Sequence, residues 1–370
     1  MVSPHSDQAG LFESAPPAPE AGPNGARDSL PRRTREQAKG VQAVAPLPGL
    51  IALAGALPPR LHLGTSSWNF PGWNGLVWDG DYAEGRLSKD GLTAYARHPL
   101  LRSVSLDRVF YRPLTASQYA RYATQVPADF RFVVKAPALV TDAWVRAEDG
   151  RGMEPNPAFL SHELAWREFV EPALQGLGTR VGALVFQISP LPRSLLADLP
   201  AVIERIGALL AALPALQPQA PDGVLAVELR DAAFLSAEHA PLLARALRAA
   251  RTHNAVTYCL GLHARMPPIE QQSPLLRALW PGPLVCRWNL HRQHGAHGYE
   301  AAKRSYEPFD QLVDPDPHTR AALARVIAGT TGGGHSAYVT INNKAEGSAP
   351  RSVVALAEAV QRLSPTAQQG

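Results

Sequence analysis

Short apolar segments alternate with longer, more polar segments along most of the chain. Eight apolar runs are rich in β-branched and aliphatic residues, a composition typical of strands: LHLGT, SVSLD, RFVVK, ALVFQ, VLAVEL, AVTYCL, LVCRWN and AYVTIN. Helix-like segments separate them. Because strands that alternate with helices are joined by crossovers, the pattern predicts parallel strands.

The intervening segments carry apolar spacing and N-terminal residues typical of helices. They predict helices over 88–97, 117–125, 194–213 and 349–363, and helix starts near Pro157, Ser236 and Asp316, with the weakest helix around 274–279. Eight strand–helix units over roughly 300 residues predict a single (β/α)8 barrel of the TIM type, an α/β fold. An open doubly wound sheet is the alternative, but GTSSWNFPGWNG after the first run lacks the GxGxxG loop usual there.

Composition changes near residue 60. Residues 1–59 are rich in proline, alanine and small polar residues without helical or strand period, which predicts a disordered N-terminal extension. The barrel is predicted over 60–364 and a disordered C-terminus over 365–370. The extension contains a basic segment, PRRTREQAKG, whose arginines include Arg32, Arg33 and Arg35. A solvated arm is the simpler interpretation of this segment, and contact with nucleic acid is the alternative.

The chain has 370 residues, with 36 Lys and Arg against 32 Asp and Glu. This small basic excess is weaker than the patch of a dedicated nucleic-acid protein. Cys259 and Cys286 lie in apolar runs, which predicts reduced core thiols. No apolar stretch approaches the ~20 residues that span a bilayer, and no secretory signal is visible. We therefore expect a cytoplasmic protein without membrane contact; the oligomeric state is not encoded in any visible pattern.

Polar residues end most of the predicted strands. Side chains two apart share one face of a strand, so Glu228 and Arg230 share a face with the small Val224 and Ala226. In a (β/α)8 barrel, polar residues at the C-terminal strand ends point into the mouth, where active sites lie. The residues expected to gather there are Asp107, Lys135, Gln187, Glu228, Arg230, Arg287, Asn289 and Asn342.

These residues suggest an anion or sugar site with acid–base groups. Glu228 is the candidate acid–base residue, Asp107 a second carboxylate across the barrel, and Lys135 a base if burial lowers its pKa. The candidate substrate-binding residues are Trp68, Tyr111, Arg112, Gln187, Arg230, Arg287, Asn289 and Asn342. An internal ion pair of Glu228 with Arg230 or Lys135 is the structural alternative.

Two further features leave alternatives open. Trp68, Phe70 and Trp73 follow the first strand and either wall the pocket or pack as core. The segment HRQHGAHG places three histidines three residues apart, but no carboxylate or cysteine completes a ligand set, so we expect neither a metal nor another cofactor.

Several short segments, in this order, are similar to the YecE-like family of domains of unknown function, number seventy-two in that series. They are GTSSWNFPGW, VFYR, FVVKAP, LVFQISP, AVELR and NNKAEGSAP. The resemblance spans most of 61–363 and implies a TIM-type barrel without an assigned activity. The chain departs from the family pattern at Ser105 and Asp107, where glutamate and asparagine are usual, at Asp142, where histidine is usual, and at Asn289-Leu290, which replaces histidine-glycine.

Two functional hypotheses follow. The first is a metal-independent enzyme that acts on a phosphate-bearing or sugar-like substrate, with a small anionic or sugar-like ligand at the mouth. The second is a barrel that binds a ligand or nucleic acid without turnover. The polar strand ends favour the first hypothesis, and the departures from the family pattern favour the second.

Overall fold

Eight parallel strands close into a barrel, which confirms the predicted (β/α)8 fold. The computed structural model describes residues 40–146 and 152–363. All eight predicted runs form barrel strands. The strands are β1 Leu61–Thr65, β2 Ser103–Leu106, β3 Arg131–Lys135, β4 Trp144–Arg146, β5 Gly152–Pro155, β6 Val181–Gln187, β7 Val224–Glu228, β8 Ala255–Leu262, β9 Leu284–Trp288 and β10 Ala337–Ile341. Their order around the barrel is β1-β10-β9-β8-β7-β6-β3-β2, while β4 and β5 form a separate antiparallel pair.

Helices cover the outside of the barrel. The α-helices are Pro48–Gly55, Glu84–Asp90, Leu92–Tyr95, Ala116–Ala123, Ala138–Thr141, His162–Ala165, Glu171–Leu177, Arg193–Leu196, Leu199–Ala212, His239–Ala249, Ile269–Ala278, Tyr299–Tyr306, Pro317–Gly332 and Ala349–Gln361. Asp316 caps its helix as predicted, since its side chain accepts the Thr319 N–H at 2.9 Å.

Three predicted helix boundaries were wrong. The helix expected over 88–97 is two short helices that meet at Gly91, and Ser88 lies inside the first of them. The helix expected to start near Pro157 begins at His162, because the Ser161 hydroxyl accepts the Leu164 N–H and caps it there. The helix expected over 194–213 is interrupted before Leu199, where Asp198 caps the longer piece.

The segment 40–59 was assigned to the disordered extension, but it packs on the barrel. Val44 N–H donates to the Val77 carbonyl at 3.0 Å, and Leu53, in the helix Pro48–Gly55, is buried. Proline at the first helical turn is compatible with a helix, which the composition argument overlooked. Residues 1–39, including the basic segment up to Lys39, and residues 364–370 lie outside the described chain.

The core has two layers. One cluster packs between the strands and the helices, and a second fills the barrel interior with Val133, Ala183, Val185, Val224, Ala226, Cys259, Val285 and Tyr338. These interior residues lie on the strand face that ends in polar residues, as the alternation of side chains along each strand predicts. Small apolar side chains thus fill the lower barrel, and the polar residues follow above them. Cys259 and Cys286 are both buried free thiols, as predicted.

Within residues 40–146 and 152–363, no helix is both long enough and apolar enough to cross a bilayer.

Candidate functional site

Arg287, on β9, lies at the centre of the barrel mouth, by which we mean the opening at the C-terminal ends of the barrel strands. Its side chain is only 2% exposed. Nη2 donates to both carboxylate oxygens of Asp107 at 2.7 Å, and Nη1 donates to Glu228 Oε2 at 2.5 Å. Burial disfavours the charge, but Asp107 and Glu228 outweigh this cost and raise the pKa of Arg287. One cation therefore joins two carboxylates from different strand ends.

Glu228, the last residue of β7, is fully buried and uses both carboxylate oxygens. Oε1 lies 2.7 Å from Arg230 Nη2 in an ion pair and accepts from Asn289 Nδ2 at 3.4 Å, while Oε2 accepts from Arg287 Nη1. The ion pair that the sequence analysis gave as the structural alternative is confirmed. Since both oxygens are engaged by protein donors, these contacts suit a residue that positions the guanidinium groups better than one that exchanges protons with a substrate.

Gln187 and Gly261 complete this network. Gln187 Oε1 accepts from Arg230 Nη2 at 2.7 Å and from Arg287 Nη1 at 3.2 Å, so it bridges the two guanidinium groups. Gly261, on β8, leaves the space that Glu228 occupies. A Cβ atom at position 261 would lie 3.3 Å from Glu228 Cγ, which is tighter than ordinary van der Waals contact.

Lys135, the last residue of β3, is a mouth cation whose side chain has no hydrogen bond or ion pair within the described ranges. It is 3% exposed, and Nζ lies 3.6 Å from the centroid of the Phe110 ring. Burial, and secondarily the charge of Arg287, lower the pKa of Lys135 to about 7, against the opposing effect of Asp107. Both protonation states of this amine are therefore populated near neutral pH.

Asp107 lies at the edge of the mouth and is 26% exposed. Ser105 Oγ donates to Asp107 Oδ1 at 2.6 Å. A narrow cleft beside this carboxylate is lined by Ser66, Ser67, Trp68, Asn69, Ser88, Ser105, Leu106, Asp107, Arg108 and Tyr122. Trp68 is held there because its indole N–H donates to the Leu87 carbonyl at 3.1 Å. It therefore lines a cleft next to the mouth, and its predicted role in substrate binding stays a prediction.

The other two aromatic candidates pack as core. Trp73 is fully buried and its indole N–H donates to Asn343 Oδ1 at 3.2 Å. Phe70 packs against Trp73 and Phe309, with ring centroids 4.9 and 5.5 Å away. The core alternative therefore applies to both.

Three predicted substrate-binding residues lie around the guanidinium groups without pairing with them in the described chain. Tyr111 is 48% exposed, with its ring edge-on to Phe110, and desolvation, then nearby Tyr299 and Asp107, raise the pKa of Tyr111. Arg112 is exposed and makes no hydrogen bond or ion pair with the described residues. Asn342 Nδ2 donates to Tyr299 OH at 3.0 Å, and Asn342 Oδ1 accepts the Lys344 N–H, so this residue shapes the turn after β10.

The histidines of HRQHGAHG have other partners. His294 Nε2 lies 2.7 Å from Tyr306 OH, and His291 Nδ1 accepts the Gln293 N–H at 3.2 Å. In the described part of the chain, no group of three or more His, Cys, Asp or Glu side chains is arranged to hold a metal ion.

Sequence reasoning missed four residues around the mouth. Phe110 faces Lys135, although its neighbours Tyr111 and Arg112 were selected instead, because a 3-10 turn over Asp107–Phe110 replaces the strand period there. Tyr299 is buried beside Asn342. His263 is also buried; burial and the charge of Arg230 lower the pKa of His263 to about 2. Gly261 was not predicted as a site residue, because glycine has no side-chain group that would indicate such a role.

Several buried polar atoms in this region have no hydrogen-bond partner in the described residues. They are Ser66 Oγ, Thr340 Oγ1, Arg230 Nε and Arg287 Nε. Thr340 is paired in register with Arg287, and Ser66 lines the cleft beside Asp107. Because buried polar groups are usually hydrogen-bonded, these four atoms are exceptions to the pairing found elsewhere in the mouth.

The residues that depart from the family pattern have defined contacts. Ser105 donates to Asp107, and Asn289 reaches Glu228. Asp142 is buried and accepts from Arg146 Nε at 2.6 Å, which ties the β4–β5 pair to the chain after β3. In this chain, Ser105 and Asn289 therefore contribute hydrogen bonds to the network, and Asp142 holds the β4–β5 pair.

The family model described as "Protein of unknown function DUF72" matches residues 62–369. The chain belongs to this family. A DUF72 family protein from Enterococcus faecalis V583 superposes with a TM-score of 0.54 at 17% identity, covering 81% of this chain and 95% of the other. A DUF72 family protein from Thermotoga maritima MSB8 matches with a TM-score of 0.49 at 18% identity, covering 80% and 98% of the two chains. A search of curated proteins found no match. For this DUF72 protein, the comparison with the Enterococcus structure supports the fold alone.

Proposed function

We propose that the barrel mouth is the site of a metal-independent enzyme that acts on a small phosphate-bearing or sugar-like substrate, with Lys135 as the acid–base residue. The single observation that carries the proposal is that Lys135 is buried at a strand end with no carboxylate partner among the described residues, whereas both neighbouring guanidinium groups are paired. A buried ammonium without a counter-ion is costly, and functional sites are where proteins keep such groups.

The charge arrangement supports an oxygen-rich substrate. Arg230 and Arg287 are opposed by Glu228 and Asp107, so the formal charge of these four groups sums to zero. The positive charge of Lys135, when protonated, is then uncompensated. A phosphate or carboxylate oxygen beside Nζ would supply the missing partner, and Ser66 and Thr340 offer hydroxyl groups for sugar oxygens.

The paired residues have supporting roles in this proposal. Glu228, Gln187 and Asp107 fix the orientation of Arg287 through its hydrogen bonds. A rigid guanidinium offers preorganised donors and dipoles where negative charge develops. This reassigns the acid–base role that the sequence analysis gave to Glu228, because both oxygens of Glu228 are engaged by protein groups, whereas the Lys135 amine has no hydrogen bond or ion pair with the described residues.

The test is a turnover screen of sugar phosphates, nucleoside phosphates and aryl glycosides with the full-length protein. We expect turnover of at least one class, with a loss of about 10²-fold or more in Lys135→Met, the scale of one general acid–base residue. Lys89→Met is the matched control, since Lys89 is an exposed lysine in the helix Glu84–Asp90. Turnover that is unchanged in Lys135→Met overturns the assignment.

The non-catalytic alternative predicts a different result. Salt-sensitive binding to nucleic acid, with no turnover of any class and weaker binding once Arg32, Arg33 and Arg35 are neutralised, would favour a binding barrel and overturn the enzyme proposal.

A further inference from the structure

Lys135 differs from an ordinary phosphate-binding lysine in its immediate surroundings. Its Nζ faces an aromatic ring, Phe110, at 3.6 Å, and it has no hydrogen-bond acceptor among the described residues. A lysine that serves as a point charge for an anion does not need a neutral form, whereas a lysine nucleophile does.

The charged groups around Lys135 act in opposite directions. Arg287 and Arg230 disfavour its protonation, and Asp107 and Glu228 favour it, but the two carboxylates are bound to the guanidinium groups. Desolvation and two adjacent cations therefore both favour the neutral form of the Lys135 amine. A lysine in an apolar pocket or beside another cation is activated as a nucleophile toward carbonyl carbon.

We propose that Lys135 forms a Schiff base with the open-chain carbonyl group of a small sugar, sugar phosphate or related aldehyde or ketone. This inference rests on the proposed function, narrows its substrate class to carbonyl compounds and gives the Lys135 amine a covalent role in place of proton transfer alone. The Nζ lone pair attacks the carbonyl carbon, a C–N bond forms, and the carbonyl π electrons move to oxygen. Proton transfers from nitrogen to oxygen then release one water molecule and leave a C=N bond. Nothing is oxidised or reduced, and the step requires no co-reactant.

The mouth has groups suited to this step. The Phe110 ring face favours a cation at the position of Nζ, which applies to a protonated imine as well as to the ammonium group. Asp107 is partly exposed at the edge of the mouth and accepts from Ser105, so a carboxylate–hydroxyl pair borders the place where water leaves. Arg287 Nε and Thr340 Oγ1 are buried and have no hydrogen-bond partner among the described residues, so a substrate oxygen that reached them would satisfy two otherwise unpaired groups.

The test traps the C=N bond in the full-length protein. The protein is incubated at pH 7 with glycolaldehyde or dihydroxyacetone phosphate, reduced with sodium cyanoborohydride and mapped by peptide mass spectrometry. The lysines of the chain are Lys39, Lys89, Lys135, Lys303 and Lys344. We expect labelling of Lys135 to exceed that of the exposed Lys89 on the order of a hundredfold, because a much larger fraction of its amine is neutral at pH 7.

Lys344 provides the matched internal control. It is also buried, its Nζ lies over the Tyr299 ring at 4.4 Å, and burial lowers the pKa of Lys344 to about 8. Label on Lys344 equal to that on Lys135 would mean that burial alone, and not the mouth, decides reactivity, which overturns the inference. Lys344→Arg must leave the label on Lys135 unchanged, and Lys135→Arg must abolish it while retaining the positive charge.

A second readout separates this inference from the proposed function. If dihydroxyacetone phosphate or another substrate raises the melting temperature or is turned over, but Lys135 is never trapped, the Schiff-base inference fails and the mouth remains a substrate site. If neither stabilisation, turnover nor trapping occurs across the panel, both proposals fail.

Discussion

Asp107 and Arg287 are separated by 180 residues and joined by two hydrogen bonds of 2.7 Å across the barrel mouth. Asp107 follows β2 and Arg287 lies on β9, so the contact links strands that are not neighbours in the barrel. Through Nη1, the same guanidinium holds Glu228. The mouth is therefore a network whose central cation cannot be removed without leaving Asp107 without its ion pair and Glu228 with Arg230 alone.

Arg287→Met is expected to destabilise the fold by about 3–5 kcal/mol, because breaking a buried ion pair leaves an uncompensated buried charge. Urea unfolding at pH 7 measures the loss. Arg112→Gln, at an exposed site, should stay within about 0.5 kcal/mol of wild type. A loss in Arg287→Met no larger than that in Arg112→Gln would contradict the central role assigned to Arg287.

Gly261→Ala tests how rigidly Glu228 is held. The added Cβ would lie 3.3 Å from Glu228 Cγ, and Glu228 cannot move without disturbing Arg230 and Arg287. We expect destabilisation of about 1–3 kcal/mol, typical of overpacking. Gly329→Ala is the control: this exposed helical glycine has open space around it, so alanine should stabilise by about 0.5–1 kcal/mol. If both substitutions changed the free energy of unfolding equally, Glu228 would not be held rigidly by its ion pairs.

Lys135→Met should change how stability depends on pH in the alkaline range. The folded pKa of Lys135 is about 7, whereas an unfolded lysine titrates near 10.4, so between these values the unfolded state binds the extra proton. Stability of the wild type then gains up to about 1.4 kcal/mol per pH unit from this group as pH rises. The Lys135→Met variant lacks this gain. We therefore expect its free energy of unfolding to exceed that of the wild type at pH 7, and the difference to narrow toward pH 10. A constant margin in chemical unfolding experiments would refute the lowered pKa.

His62→Phe tests how the stability of the fold depends on pH below neutrality. Burial, and secondarily Arg102, lower the pKa of His62 to about 3, and its ring stacks on Tyr338 with centroids 5.2 Å apart. As pH falls below about 6.5, the unfolded histidine gains a proton that the folded one does not, so stability falls. Phenylalanine retains the stacking and removes the titration. We expect a shallower loss of stability between pH 6 and pH 4 in thermal unfolding, and an identical slope in both proteins would exclude His62 as a cause.

Asp107→Asn should shift the reactivity of Lys135. Asp107 favours protonation of the lysine, so its neutralisation lowers the pKa of Lys135 further. The midpoint of the pH dependence of labelling by glycolaldehyde and cyanoborohydride is then expected at lower pH than in wild type. Asp222→Asn, at the other end of the barrel beside Arg131, should leave the midpoint in place. A shift in the opposite direction would contradict the charge arrangement described for the mouth.

Much of the fold follows from local patterns. The runs that became β3, β7 and β9 carry their two-residue period within five residues each, so their inward and outward faces were readable without the structure. The helix boundaries were harder to predict. Nearby prolines and serines indicate a helix start as strongly as the actual capping residues, Ser161 and Asp198, do.

The sequence by itself determined that polar residues end parallel strands and would share one opening. It left the partners undecided: Glu228 could pair with Lys135 or with Arg230, and only the closed barrel assigned it to Arg230 and Arg287. Pairing depends on distances between residues far apart in the chain, set by strand register and by the space at Gly261. The same geometry placed Lys135 against Phe110 with no carboxylate paired to it in the described part of the chain, and the alternation of side chains along β3 carries no information about that contact.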